Sequence, residues 1–350
     1  MKSTLKLFVS CCAAGALLGA SSYAQARDLT VASWGGNYQD AQREIYFKPF
    51  QDKLGKPVLD QSWDGGLGIL QAKLKAGEPN WDVVQVEVDE LEQGCADGLY
   101  EKIDWSTLGG KSSYLPAAAS TDCGVGAIVW STGIAYDGDV LKDGPKTWAD
   151  FWDTKKFPGK RSLRKGPKYT LEFALMADGV APADVYKVLR TPAGIDRAFK
   201  KLDQIKPDLI WWDAGAVPLQ LLASKQVVMT SVYNGRITGI NRAEKKNFKF
   251  IFPGSIYAVD SWVVLKGSPN KNDAMKLIAF MSQPENQSKL PKYIAYGLPN
   301  IKAGTMVPAE FQADLPTSPD NAKNAIAIDS EFWTDNNEQI TQRFNAWLAM

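Results

Sequence analysis

The segment from Asp28 to Val86 constrains the fold more than any other part of the chain. Asp28-Leu-Thr-Val-Ala-Ser-Trp34 alternates like a short strand, Gly35-Gly36-Asn37-Tyr38 reads as a turn, and Asp40 to Leu54 carries Ile45, Phe47 and Phe50 at helical spacing before Gly55. Pro57 to Asp60 reads as a second strand. Leu67, Leu70 and Leu74 give the apolar face of a helix between the Gly65-Gly66 turn and Gly77, and Asp82 to Val86 is a buried strand. This β-α-β-α-β order argues for a mainly parallel sheet covered by helices.

The second half repeats the style. Helices are expected at Thr147 to Trp152, Leu171 to Met176 and Ala183 to Leu189, strands at Gln226 to Ser231 and Phe248 to Pro253, and a helix capped by Asn272 that runs through Ala274, Leu277, Ile278 and Met281. Two further apolar strands, Gly133 to Tyr136 and Val259 to Leu265, stand where a two-lobed chain crosses between lobes. The 350 residues suffice for two lobes, each with a core.

The first residues read as an export signal. Lys2 and Lys6 precede an apolar stretch from Leu7 to Leu18, and Ala24-Gln25-Ala26 offers a cleavage site, so the mature chain is expected to start near Arg27. Export places Cys95 and Cys123 in an oxidising compartment, where an even pair reads as a disulfide; two unpaired buried thiols are the alternative. The pair alone supplies too few ligands for a metal. Forty basic against 39 acidic residues leave no electrostatic footprint for nucleic acid. The chain contains no histidine, which removes the commonest general base, and it has no Gly-x-Ser-x-Gly elbow. No catalytic residue, cofactor or metal is expected.

Several stretches in order resemble the spermidine/putrescine-binding proteins of ABC importers, within extracellular solute-binding protein family 1. They are Trp34-Gly35-Gly36-Asn37, Leu70 to Lys75, Asp82-Val-Val, Trp130-Ser-Thr-Gly-Ile134 with Tyr136, Thr147-Trp148-Ala-Asp-Phe-Trp152, Tyr233-Asn-Gly235, Asp260-Ser261 and Tyr296-Gly-Leu-Pro-Asn300. The resemblance implies an α/β type II periplasmic-binding fold, with two α/β lobes hinged about an interlobe ligand cleft, and a docking partner in an inner-membrane ABC permease. The expected organisation is a signal peptide over 1–26, lobe 1 over 27–133 and 262–304, lobe 2 over 134–261, and a C-terminal helical segment over 305–350 packed on lobe 2. A monomer in the periplasm is expected.

By the same resemblance, Trp34 stacks on the ligand, and Tyr233 and Tyr296 face it, with Gly35, Asn37, Trp130 and Tyr169 in matching stretches. Asp260, a carboxylate inside the apolar run Tyr257 to Leu265, holds a ligand ammonium; a structural salt bridge or a backbone cap is the other reading. Glu87, Asp89, Trp212 and Asp213 are further cleft candidates, with loop solvation or core packing as their alternatives.

The chain departs from the polyamine pattern in charge. Gly35 and Gly36 stand where an acid is usual, Arg164 to Tyr169 is basic where two acids are usual, and Arg236 follows Tyr233-Asn-Gly, with solvent or a neighbouring acid as its alternative partner. A guanidinium repels a polycation but grips a carboxylate. The expected ligand is therefore a small amine: an ω-amino acid such as 4-aminobutyrate, or a polyamine such as putrescine or spermidine. A secreted acyl-transfer enzyme or polyester synthase on the same scaffold is the alternative from another class.

Overall fold

A computed structural model describes residues 27–77 and 80–350. The expected export signal and its cleavage site near Ala26 lie outside the described residues. The strands are β1 (Leu29–Ser33), β2 (Val58–Ser62), β3 (Val83–Val86), β4 (Gly124–Asp137), β5 (Arg161–Arg164), β6 (Leu209–Trp212), β7 (Met229–Tyr233), β8 (Phe248–Val264) and β9 (Ile326–Ala327). They hydrogen-bond in the order β2-β1-β3-β8-β4-β7-β5-β6, with β9 on β8.

Each end of this order is parallel. β1 pairs with β2 and β3, and β5 pairs with β6 and β7. Strands buried on both faces need continuous apolar runs, and Val31, Ala32, Val83, Val84 and Val86 are all fully buried.

The two ends are joined by β4 and β8, which run antiparallel to each other through the middle. The far end of β8 pairs with β3, Ser261 opposite Val86, while the far end of β4 pairs with β7, Thr132 opposite Tyr233. Each of these strands therefore belongs to both halves. Their register shifts twice, between Gly126 and Ile128 and between Thr132 and Ile134. At Gly133 an added Cβ would sit 2.8 Å from the Ile251 carbonyl oxygen, so the close approach of the two backbones there requires glycine.

The sequence divides these strands too finely. Phe248 to Pro253 and Val259 to Leu265 are one continuous strand, and Gly133 to Tyr136 is the end of another. The first helix starts at Gly36, not Asp40, because Gly35 turns the chain at a φ of 63° and serves as its N-cap. The strand expected from Gln226 begins at Met229, because the Gln226 and Val227 amides are spent on the Leu221 carbonyl at the end of the preceding helix. Asn270, not Asn272, caps the Lys271–Met281 helix, since its carbonyl accepts the first helical bond from Ala274.

A disulfide joins Cys95 to Cys123, Cα atoms 5.7 Å apart, and ties the Val88–Ala96 helix to the start of β4. The C-terminal helix Ser330–Ala349 packs Phe344 and Trp347 on Trp211 and Phe199. At its start, the Ser330 hydroxyl donates to Glu92 in the other half.

Candidate ligand-binding cleft

The carboxyl ends of the parallel strands from both halves converge on one cavity with about 530 Å³ of empty space. Trp34 follows β1, Trp63 follows β2, Glu87 follows β3 and Asp213 follows β6, while Arg164 and Tyr233 end β5 and β7. Asp260 of β8, 2% exposed, lines the same space.

The Asp260 carboxylate accepts from the Trp34 indole at 2.6 Å, the Trp130 indole at 2.5 Å and the Gln85 amide at 3.1 Å. All three donors are neutral, so the acid is hydrogen-bonded without being neutralised. Burial, reinforced by the negative charge of Glu87, raises its pKa well above the ordinary carboxylate value, while the two indoles pull it back.

Aromatic rings surround this acid. Trp34 stacks on Trp63 with centroids 5.3 Å apart, and Trp130 meets Tyr233 edge-on at 5.1 Å. Such faces suit the alkyl part and the ammonium of an amine.

Arg236 enters from the Asn234–Glu244 helix in the other half. Its Nη2 donates across the cleft to the Trp34 carbonyl at 3.0 Å, and its Nε is buried with no hydrogen-bond partner. Two glycines make room for it. A Cβ on Gly36 or on Gly215 would stand 2.9 Å from its guanidinium nitrogens. The guanidinium of Arg236 thus occupies space that a side chain at position 36 would contest. Gly235 is required too, since its Cβ would lie 2.5 Å from the Tyr296 ring.

Beside the cavity, Glu87 faces Lys168, Arg164 and Tyr169. Lys168 Nζ lies 2.7 Å from Glu87 and 3.0 Å from Asp89, and the Tyr169 hydroxyl donates to Glu87 at 3.0 Å. Burial works to raise the Glu87 pKa. The charges of Lys168 and Arg164, with the hydrogen bonds from Lys168 and Tyr169, overcome it and hold the acid down at about 2.

Of the residues singled out in the sequence, Trp34, Glu87, Trp130, Asp213, Tyr233, Arg236, Asp260 and Tyr296 meet in the cavity. The others do not line it. Gly35 is a helix cap, where a Cβ would press on Ser62 at 3.1 Å. Asn37 is turned against Gly239 of the opposite half, whose added Cβ would lie 2.0 Å from its amide nitrogen. Tyr169 stands edge-on to Trp130, held at a φ of 72° by its bond to Glu87 and its packing. Trp212 lies within β6 rather than after it, buried edge-on to Tyr233. Asp89 faces an outer chamber with Lys168.

Trp63, Asp64, Ile128 and Gly215 line the cavity without having been singled out, and Arg164 was read only as part of a basic stretch. A signal for Trp63 was present. Ser62-Trp63 repeats Ser33-Trp34, and β1 and β2 pair in parallel with Ser33 opposite Ser62, which sets the two indoles side by side.

Two α/β halves joined through β4 and β8 around a cavity fed by strand ends define a solute-binding receptor. Residues 57–317 match the bacterial extracellular solute-binding protein family, and the chain belongs to it as a solute receptor of an ABC importer. The chain is 47% identical to the gamma-aminobutyric acid-binding protein of Pseudomonas aeruginosa, over 96% of its own length and 95% of the relative's. It is 24% identical, over 88% of each chain, to the spermidine/putrescine-binding periplasmic protein of Escherichia coli. The solved Atu4243 GABA receptor superposes with a TM-score of 0.79 at 36% identity, covering 92% of this chain and 98% of that one.

Proposed function

We propose that this receptor captures a small ω-amino acid of the 4-aminobutyrate type in the periplasm, as a monomer, and delivers it to an inner-membrane permease. The supporting observation is the pairing of Asp260 with Arg236 across Trp34. One wall offers a buried carboxylate with no cation paired to it among the described residues. The other offers a buried guanidinium whose Nε has no acceptor. A ligand with an ammonium at one end and a carboxylate at the other satisfies both, and its methylenes lie against the aromatic walls. A 47% identical relative named for the same ligand supports this reading.

In this reading the halves, 27–133 with 262–304 and 134–261 with 305–350, close as bodies hinged at β4 and β8. Titration calorimetry with 4-aminobutyrate, putrescine and spermidine tests the ligand class. Binding of 4-aminobutyrate at least tenfold tighter than putrescine is expected; preference for either polyamine overturns the reading.

A further inference from the structure

A second chamber, with about 790 Å³ of empty space, lies beside the cavity. Asp64, Glu87 and Arg164 line both. The partition is an ion cluster whose members come from opposite halves. Glu87 and Asp89 stand at the start of the Val88–Ala96 helix after β3, and Arg164 and Lys168 lie at and after the end of β5. Lys168 bridges Glu87 and Asp89, and Arg164 Nη1 lies 3.7 Å from Glu87. The Lys168 side chain is only 16% exposed, and the far side of the chamber is formed by Trp333 and Asn337 of the C-terminal helix.

We infer that Lys168 sets the length of ligand the receptor accepts. The inference rests on the ω-amino acid reading above. The bridge needs both halves in place, so it forms only on closure. A ligand that ends inside the inner cavity lets Lys168 reach both acids. A longer one must pass the partition into the outer chamber, which separates Glu87 from Lys168 and breaks the closest ion pair between two partly buried charges. Ligand length is thereby converted into the stability of the closed form, and short ligands are favoured by a lysine that does not line their cavity.

The test compares 4-aminobutyrate with 6-aminohexanoate by titration calorimetry in wild type, Lys168→Met and Asp89→Asn. Asp89 does not line the inner cavity, so the second variant weakens the bridge while leaving the ligand's walls intact. Lys168→Met is expected to weaken 4-aminobutyrate at least tenfold and 6-aminohexanoate by much less, moving their affinity ratio at least tenfold toward the longer ligand. Asp89→Asn is expected to move it the same way by a smaller factor. If both variants leave the ratio unchanged while wild type binds 4-aminobutyrate, the length rule falls and the ligand class stands. If wild type binds neither compound, the ligand class and the length rule fall together.

Discussion

The Trp34 indole donates to Asp260 at 2.6 Å, and the backbone carbonyl of the same tryptophan accepts from Arg236 at 3.0 Å. One residue at the end of β1 thus fixes the acid and the base between which a zwitterion would lie. Replacing the acid tests that geometry. Asp260→Asn keeps the shape but turns an amide toward two indole donors and removes the charge. Removing one member of a buried charge pair costs about 2–5 kcal/mol, so 4-aminobutyrate affinity is expected to fall by about 30-fold or more in calorimetry. Unchanged affinity would remove Asp260 from the binding mechanism.

Proton release on binding follows from the raised Asp260 pKa. A ligand ammonium favours the ionised acid, so binding expels a proton wherever the free receptor holds one there. Affinity should therefore rise with pH until Asp260 is ionised in the empty protein, and then level off. Titrations in buffers of different ionisation enthalpy measure this directly. Trp130→Phe takes away one of the bonds that pull the pKa back, and should extend the release to higher pH.

Arg236 separates ligand classes. Arg236→Ala should weaken 4-aminobutyrate by about tenfold or more, since hydrogen bonds to charged groups contribute about 1.5–3 kcal/mol. Putrescine binding should hold or improve as a like charge disappears. Equal losses for both ligands in a thermal-shift series would end the case for a carboxylate contact.

Stability should depend on Glu172, a buried acid beneath the C-terminal helix. One oxygen accepts from Trp333 at 2.8 Å and Tyr186 at 2.9 Å, and the other is buried without a partner. Burial pushes its pKa from 4.5 up to about 7. An acid with a raised folded pKa binds more protons folded than unfolded. Its contribution is full below the unfolded value, is lost as pH rises from about 4.5 to 7, and is flat beyond. At about 1.4 kcal/mol per pKa unit the loss approaches about 3 kcal/mol. Glu172→Gln should flatten urea-denaturation stability between pH 5 and 7; an unchanged slope would assign the dependence elsewhere.

The fold was legible because its signals are local. Apolar runs such as Val83 to Val86, and glycines at helix ends such as Gly55, declare strands and stops within a few residues. Asp260 stands out for a similar reason, as a carboxylate in an apolar strand, and it lines the cavity. The partition was not legible. Lys168 is separated from Glu87 by 81 residues and reads as one charge in a basic stretch until the two halves are set face to face. Asn37 and Trp212 stay outside the cavity lining for the converse reason. Trp212 adjoins Asp213 and Asn37 follows Trp34 by three positions, but a strand or a helix start turns nearby side chains in different directions.

The two register breaks in the β4–β8 ladder fall on either side of Trp130. Ile128 pairs with Asp260 and Trp130 with Ala258 inside the unbroken segment between them, so the indole and the acid it donates to ride on one piece of ladder. With the halves hinged as proposed, parting them would draw Arg236 off the Trp34 carbonyl while Asp260 keeps its Trp130 donor, so that cargo lets go at its carboxylate end first.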